Sequence, residues 1–189
     1  MKDVKISVIT PTYNSIQFIE TCIQNVIQQK CNYVEHIIVD AVSTDGTIEV
    51  IKQYAEKYSH IRWISEPDKG QSDAMNKGIK KSIGDVVGMI NSDDTYEPTI
   101  IEEMQKLFDT ESCDIAYSDL NILTNTKKRI KRAKIDYKIF TTRHWNHPTM
   151  FVKRIIYNNI SYQNKTIYDD WDFYLKARFD ESHCFVDNT

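Results

Sequence analysis

Short runs of β-branched and aliphatic residues alternate along this chain with segments whose apolar side chains recur every three or four positions, and that alternation leaves few folds open. Lys5-Ile6-Ser7-Val8-Ile9-Thr10 reads as a strand stopped by Pro11. After Asn14 or Ser15 as a cap, Ile16, Ile19, Ile23, Val26 and Ile27 fall on one face of a helix. Glu35 to Asp40 repeats the strand, and Thr44-Asp45-Gly46 leads into a helix carrying Ile48, Ile51, Ala55 and Tyr58. Ile61 to Ser65 is a third strand, Gln71 to Ser82 a helix, and Asp85 to Ile90 a strand of the fully buried kind. A helix from about Pro98 to Phe108 and a strand near Asp114 to Tyr117 complete the series. Strands alternating with helices of about 10–15 residues imply an α/β fold with a mostly parallel central sheet flanked by helices. In such sheets ligands bind beyond the carboxyl ends of the strands. Those ends are Pro11 to Asn14, Asp40, Glu66 to Gly70 and Asn91 to Asp94, and they are rich in carboxylates.

From about residue 119 the rhythm breaks. Asn121 to Thr126 reads as a turn, Lys127 to Lys134 holds six basic residues in eight, and a helical pattern returns near Asp169 to Phe179. The expected organisation is therefore an α/β region over 1–118 and a smaller appended region over 119–189. The appended region is expected to be incomplete at its C-terminus, because Asp187-Asn188-Thr189 offers no recognisable closing element.

Composition removes several classes. With 24 basic against 27 acidic side chains in 189 residues the net charge is −3, which excludes a nucleic-acid binder working by bulk charge. Apolar stretches such as Ile37-Ile38-Val39 fall far short of the ~20 residues that span a bilayer. Met1-Lys2-Asp3-Val4-Lys5 argues against a secretory signal, and Cys22, Cys31, Cys113 and Cys184 form no C-x-x-C pair, so a cytoplasmic location with incidental buried thiols is expected. The five glycines, Gly46, Gly70, Gly78, Gly84 and Gly88, fit neither G-x-G-x-x-G nor the phosphate-cradling G-x-x-x-x-G-K. H-E-x-x-H and G-x-S-x-G are absent as well.

At the strand ends each residue has a chemical and a plain reading. Asp93 and Asp94, in Asn91-Ser92-Asp93-Asp94, suit a hard divalent cation bridging phosphate oxygens, Mg²⁺ or Mn²⁺, or they cap the following helix. Asp40 can accept a hydrogen bond from a nucleobase or ribose, or simply open a turn.

Taken together, Pro11-Thr12-Tyr13-Asn14, Asp40 through Thr47, Glu66-Pro67-Asp68-Lys69-Gly70, Asp73-Ala74-Met75-Asn76-Lys77-Gly78, Gly84-Asp85 and Asn91-Ser92-Asp93-Asp94 resemble the family 2 glycosyltransferases in order and spacing. The resemblance covers roughly residues 4 to 180 and is densest in the first hundred. It implies a GT-A fold, a nucleotide-diphosphate sugar donor, a divalent metal, and transfer with inversion by a single displacement. On the same resemblance Pro11, Thr12, Tyr13 and Asp40 would bind the nucleoside, uridine being favoured, and Asp73 would approach the ribose or donor sugar. Asp93 would sit at the donor, and Asp93 with Asp94 would hold the metal.

An inverting transferase needs a carboxylate to take the acceptor's proton, and Asp170 in Asp169-Asp170-Trp171-Asp172-Phe173 matches the family's acidic segment, with Asp169 and Asp172 as rivals. His147 in Asn146-His147-Pro148-Thr149-Met150-Phe151 matches a recurring segment that contacts the diphosphate or acceptor, or it is structural. Trp145 and Trp171 could face a sugar, with core packing the plainer reading. Two positions depart from the family: Ala41 replaces its usual glycine, so that the backbone there need not adopt a positive φ, and Asn91 replaces a further Asp.

The expected activity is transfer of a sugar to a glycan or lipid-linked glycan in cell-surface polysaccharide synthesis. The basic run from Lys127 to Lys134 is either an exposed charged hairpin or a peripheral contact with anionic lipid at the inner membrane face. The alternatives are a nucleotidyltransferase, which predicts a glycine-rich basic loop where Pro11-Thr12-Tyr13-Asn14 stands, and a catalytically silent sugar-nucleotide binding module.

Overall fold

The computed structural model describes residues 4–29, 34–110, 113–124, 126–134, 142, 145–166 and 168–179, and the backbone of 185–188. Cys31 and Cys184 lie outside these residues, while Cys22 and Cys113 are buried free thiols. The elements run β1 (Ile6–Thr12), α1 (Ile19–Ile27), β2 (Val34–Asp40), α2 (Thr47–Lys57), β3 (Ile61–Ser65), α3 (Gln71–Lys81), β4 (Val86–Met89), α4 (Ile100–Thr110) and β5 (Ile115–Ser118). Then follow a hairpin of β6 (Leu120–Leu123) and β7 (Lys128–Lys131), β8 (Phe151–Lys153), α5 (Asp169–Phe179) and β9 (Phe185–Asn188).

The main sheet has the order β3-β2-β1-β4-β8-β5-β9. Strands β1 to β4 pair in parallel, β8 runs antiparallel to β4 and β5, and β9 is parallel to β5. Every residue of β1 is buried, which follows from helices covering both faces of the sheet. Alternate side chains separate the two faces. Ile9, Ile37 and Val39 pack with Ala74 and Met75 of α3 and Phe173, Tyr174 and Ala177 of α5. Ile6 and Val8 join Cys22 and Val26 of α1 and Ile101, Met104 and Phe108 of α4, and Ile38 meets Ile19, Ile23 and Ile51. The residues before and after position 118 thus share one sheet and one core.

Three details differ from the sequence reading. Pro11 does not stop β1: the strand continues through Pro11, opposite Val39, to Thr12, opposite Asp40. Ile9 offers its carbonyl toward β4, to the Ile90 amide. Pro11 has the same orientation, and its missing N–H falls where β4 has already ended, so no ladder bond is lost. The turn expected over Asn121 to Thr126 begins inside β6, so the basic run is one strand of a hairpin. The last described residues, Phe185–Asn188, form β9 in parallel against β5, a strand that the sequence reading did not include.

Candidate active site

Sequence order and sheet order part company at β1: β2 and β3 extend to one side and β4 lies on the other. This is the switch point where an open α/β sheet leaves a crevice beyond its carboxyl ends. A cleft of about 820 Å³ occupies it, lined by Pro11, Thr12, Tyr13 and Ser15 after β1, and by Ala41 and Val42 after β2. Pro67, Asp68, Gly70, Gln71 and Ala74 line it after β3 and along α3, and Asn91, Ser92 and Asp93 after β4. The Thr12 hydroxyl is buried here without a hydrogen-bond partner among the described residues, and the Tyr13 side chain is largely exposed.

The first two loops are laced together by the second loop's polar side chains. The Asn14 amide donates to Ser43 Oγ (2.8 Å), Ser15 to Thr47 Oγ1 (2.9 Å) and Ile16 to Asp45 Oδ2 (3.0 Å), while Asn14 Oδ1 accepts the Thr44 amide (2.9 Å). Desolvation works against the Asp45 carboxylate, but hydrogen bonds from Thr47 and Ile16 outweigh it and hold the carboxyl below its ordinary range. Between loops one and four, Ser92 Oγ donates to Ser15 Oγ (2.9 Å), and Gln71 Nε2 donates to Asn91 Oδ1 (2.6 Å). The lacing residues could have been suspected from their hydroxyl- and carboxylate-rich composition, but not their pairing.

Of the donor-side residues expected from the sequence, Pro11, Thr12, Tyr13 and Asp93 are brought together in the cleft. Asp40 is not: it is fully buried beneath it, its carboxylate accepting the Ser43 amide and the Ser43 and Ser65 hydroxyls. In this structure its carboxylate braces the 41–43 loop from below. Asp73 also lies outside the cleft walls; its carboxylate accepts the Lys69 amide (3.1 Å) and pairs with Lys77 Nζ (3.3 Å) in the first turns of α3. The positive φ expected to be dispensable at Ala41 occurs one residue on, at Val42 (φ +61°).

Asp93 sits at the lip between this cleft and a hollow of about 330 Å³ that Asp94 also lines. Burial pushes the Asp94 carboxyl up, the Asn91 amide (3.0 Å) pulls it down, and neighbouring Asp93 raises it again. Asp93 and Asp94 are adjacent hard-oxygen donors, the chemistry a divalent cation takes, and the Asp93 charge is part of what raises Asp94. Among the described residues no third His, Cys, Asp or Glu completes a cluster, so phosphate oxygens and water would supply the remaining positions.

A second cleft, about 520 Å³, adjoins the first through Gly70 and Gln71 and is lined by His147, Tyr162, Asp169 and Asp170. The three acids of α5 part here. Asp169 accepts the Lys165 (2.9 Å) and Thr166 (3.0 Å) amides, which outweigh desolvation and hold its carboxyl down. Asp172 pairs with Lys176 one turn along the surface. Asp170 stands at the cleft with Oδ2 4.0 Å from His147 Nδ1. Burial pushes the His147 imidazole below its ordinary value, Asp170 partly restoring it, and Nε2 lies 3.1 Å from the Tyr162 hydroxyl. Trp145 is core: its ring lies 5.0 Å from Tyr174 and 5.2 Å from Trp171. Tyr162 had no signal in the sequence, because its contacts come from residues 15 and 86 positions away.

The uncharacterized glycosyltransferase YibD of Escherichia coli is 36% identical over 112 residues, covering 59% of this chain and 33% of that protein. Chondroitin synthase of Escherichia coli is 27% identical over 188 residues, 90% of this chain and 26% of that protein. The chain therefore spans about a third or less of these relatives' length. Among solved structures, Staphylococcus aureus TarS 1–349 with UDP superposes with a TM-score of 0.81 at 19% identity, over 98% of this chain and 61% of that one. The Pyrobaculum calidifontis mannosyltransferase PcManGT with GDP-Man and Mn²⁺ gives 0.76 at 16%, over 100% and 55%. Both likenesses show the same GT-A fold. The family 2 glycosyl transferase profile matches residues 7–171, and with the acidic rim at the switch point and the α/β sheet behind it, the chain belongs to glycosyl transferase family 2.

Proposed function

We propose that this glycosyltransferase moves a sugar, with inversion, from a nucleotide-diphosphate sugar to a glycan or lipid-linked glycan of a cell-surface polysaccharide. The observation that carries the reading is the continuity of the two clefts, with Asp93 at the lip of one and Asp170 on the wall of the other. The nucleoside lies against Pro11, Thr12 and the open ring of Tyr13, the orphaned Thr12 hydroxyl gaining a partner from it. Asp40 and Asp73 act by holding the loops that shape this cleft. Asp93 and Asp94 would hold the divalent cation, Mn²⁺ or Mg²⁺, which when bound would supply positive charge to offset that developing on the departing diphosphate. Asp170 accepts the acceptor hydroxyl's proton as that oxygen bonds to C1 and the C1–O bond to the nucleotide breaks, its electron pair leaving with the diphosphate. His147 stands beside it at the acceptor or diphosphate, on the acceptor-side segment 119–189. TarS with UDP supports a uridine donor, PcManGT with GDP-Man and Mn²⁺ supports the metal, and chondroitin synthase supports a polysaccharide product.

Among the described residues no helix is long and apolar enough to cross a membrane. The β6–β7 hairpin offers a peripheral contact at the inner membrane face: cross-strand register puts Leu123, Lys128 and Ile130 on one face, with Leu123 70% and Ile130 46% exposed.

Calorimetric titration with UDP, GDP, dTDP and CDP, each with Mn²⁺, with Mg²⁺ and with EDTA, tests the donor site. One nucleotide is expected to bind only with metal, and binding is lost in Asp93→Ala/Asp94→Ala. A folded sample that binds none of them, or binds equally well in EDTA, contradicts the assignment.

A further inference from the structure

A continuous line of contacts runs from α3 to the proposed base. Asn76, midway along α3, clamps the backbone of Tyr162 at two points: its Nδ2 donates to the Tyr162 carbonyl (2.7 Å) and its Oδ1 accepts the Tyr162 amide (3.2 Å). The Tyr162 ring is 2% exposed and stacks on Phe173 of α5 at 4.9 Å, so its direction is fixed by packing. Its hydroxyl meets His147 Nε2 at 3.1 Å, and the opposite ring nitrogen, Nδ1, faces Asp170 Oδ2 at 4.0 Å.

We propose that Tyr162 is a positioning residue: by donating to Nε2 it holds neutral His147 in the tautomer whose Nδ1–H faces the Asp170 carboxylate. The proposal rests on Asp170 as the base of the transfer reaction. The alternative tautomer would turn a bare nitrogen lone pair toward a carboxylate, which is acceptor-only when ionised, and would send the phenol proton to the neighbouring Tyr157 hydroxyl instead of His147. Burial holds the phenol proton well past its ordinary range and keeps the imidazole neutral, so both partners retain the forms the tautomer requires. The other titratable groups in reach are Tyr157, beside Tyr162, and Lys131, whose ammonium feels Asp170 while donating to the Trp145 carbonyl at 2.7 Å. At 4.0 Å the neutral His147 Nδ1 faces the Asp170 carboxylate without a hydrogen bond, a separation of the kind that catalytic pairs often close only once substrate is bound. The arrangement would keep the carboxylate aimed at the cleft until the acceptor proton arrives.

Ring-nitrogen ¹⁵N spectra of the labelled full chain test the tautomer directly, with the His147 signals identified by their loss in His147→Asn. The expected wild-type state is a protonated Nδ1 and a bare Nε2, with the proton moving toward Nε2 in Tyr162→Phe. Turnover with water as acceptor is followed on whichever of UDP-glucose, UDP-N-acetylglucosamine and GDP-mannose reacts fastest. It should fall about 10-fold in Tyr162→Phe, the lower range for a residue behind the reacting groups, with nucleotide affinity unchanged. His147→Asn places an amide N–H near the Nδ1 position; it should outperform His147→Ala, and adding Tyr162→Phe to it should cost nothing further. A wild-type His147 protonated at Nε2, or full additivity in the double variant, overturns the proposal. Asp170→Asn separates the two levels: inactivity there together with an Nε2-protonated His147 removes only the positioning role, whereas full turnover in Asp170→Asn removes the base and the proposal with it.

Discussion

Val42 carries a β-branched side chain in the left-handed region, 44% exposed, on the cleft wall after β2. That conformation costs an ordinary residue roughly 1–2 kcal/mol and persists where the surroundings over-determine it, here by the Ser43 and Asp40 contacts one and two residues away. Val42→Gly releases the strain, offset in part by the roughly 0.5–1 kcal/mol of extra unfolded-state freedom that glycine brings. The expected net is a stabilisation of up to about 1 kcal/mol, read as a higher Tm, together with weaker nucleotide binding because part of the cleft wall is gone. A lower Tm would mean the valine is at ease there. The three acids of α5 show what a sequence conveys at this scale. Their presence at a helix start was legible, but their spacing is the same whether they cap, pair or face a cleft. Only the partners, the Lys165 and Thr166 amides for Asp169, Lys176 for Asp172 and His147 for Asp170, divide them, and those lie on other turns or another segment.

At the scale of elements, the parallel half of the sheet was readable because each strand and helix carries its own period. β8 was not: three residues have no periodicity, and its pairing with β4 is decided by residues some sixty positions earlier. The charged hairpin was readable but its first strand was not, since Leu120 to Leu123 is too short to outweigh the turn-forming residues beside it. Where α3 crosses the sheet, the sequence and the packing make opposite demands. Gly78 lies inside the helix, where alanine would be favoured by about 1 kcal/mol of propensity. A Cβ there would stand 2.4 Å from Ile9 Cγ2, a fully buried methyl group of β1 with little room to withdraw. Overpacking of this kind costs about 1–3 kcal/mol, so Gly78→Ala should lower stability by up to about 2 kcal/mol in urea unfolding despite the better propensity. Because α3 also carries Gln71 to the first cleft and Asn76 to Tyr162, nucleotide affinity and turnover should both suffer. Unchanged or improved stability would show that the helix can lift from the sheet without loss.

For the whole molecule, covering both faces of the sheet buries polar groups that an open sheet would leave wet, and His36 is the extreme case. It lies at the centre of β2, fully buried, with Nε2 2.9 Å from Thr10 Oγ1 and Nδ1 unpartnered among the described residues. Burial, helped by nearby His60, pushes its imidazole down from 6.5 to about 3. The direction of the consequence follows from linkage. Between those two values the unfolded chain binds a proton that the folded chain refuses, so stability is complete above about pH 6.5 and is lost as the pH falls, by about 1.4 kcal/mol per unit. His60 and His147, lowered also by burial, act in the same direction. The depressed carboxylates Asp45, Asp73 and Asp169 act through a different window, since their contribution is present above the ordinary carboxylate value and disappears only as the pH drops below it. Urea unfolding at pH 7, 6 and 5 therefore isolates the imidazoles, and a loss of about 2 kcal/mol from His36 between pH 6.5 and 5 is expected. His36→Gln keeps a polar group within reach of Thr10 but cannot take up a proton in this range. It should be less stable than the wild type at pH 7, through imperfect packing, and should have a distinctly flatter dependence toward pH 5. If the two proteins lose stability in parallel, the acid sensitivity comes from elsewhere, and the buried imidazole in β2 is protonated without the penalty that its surroundings imply.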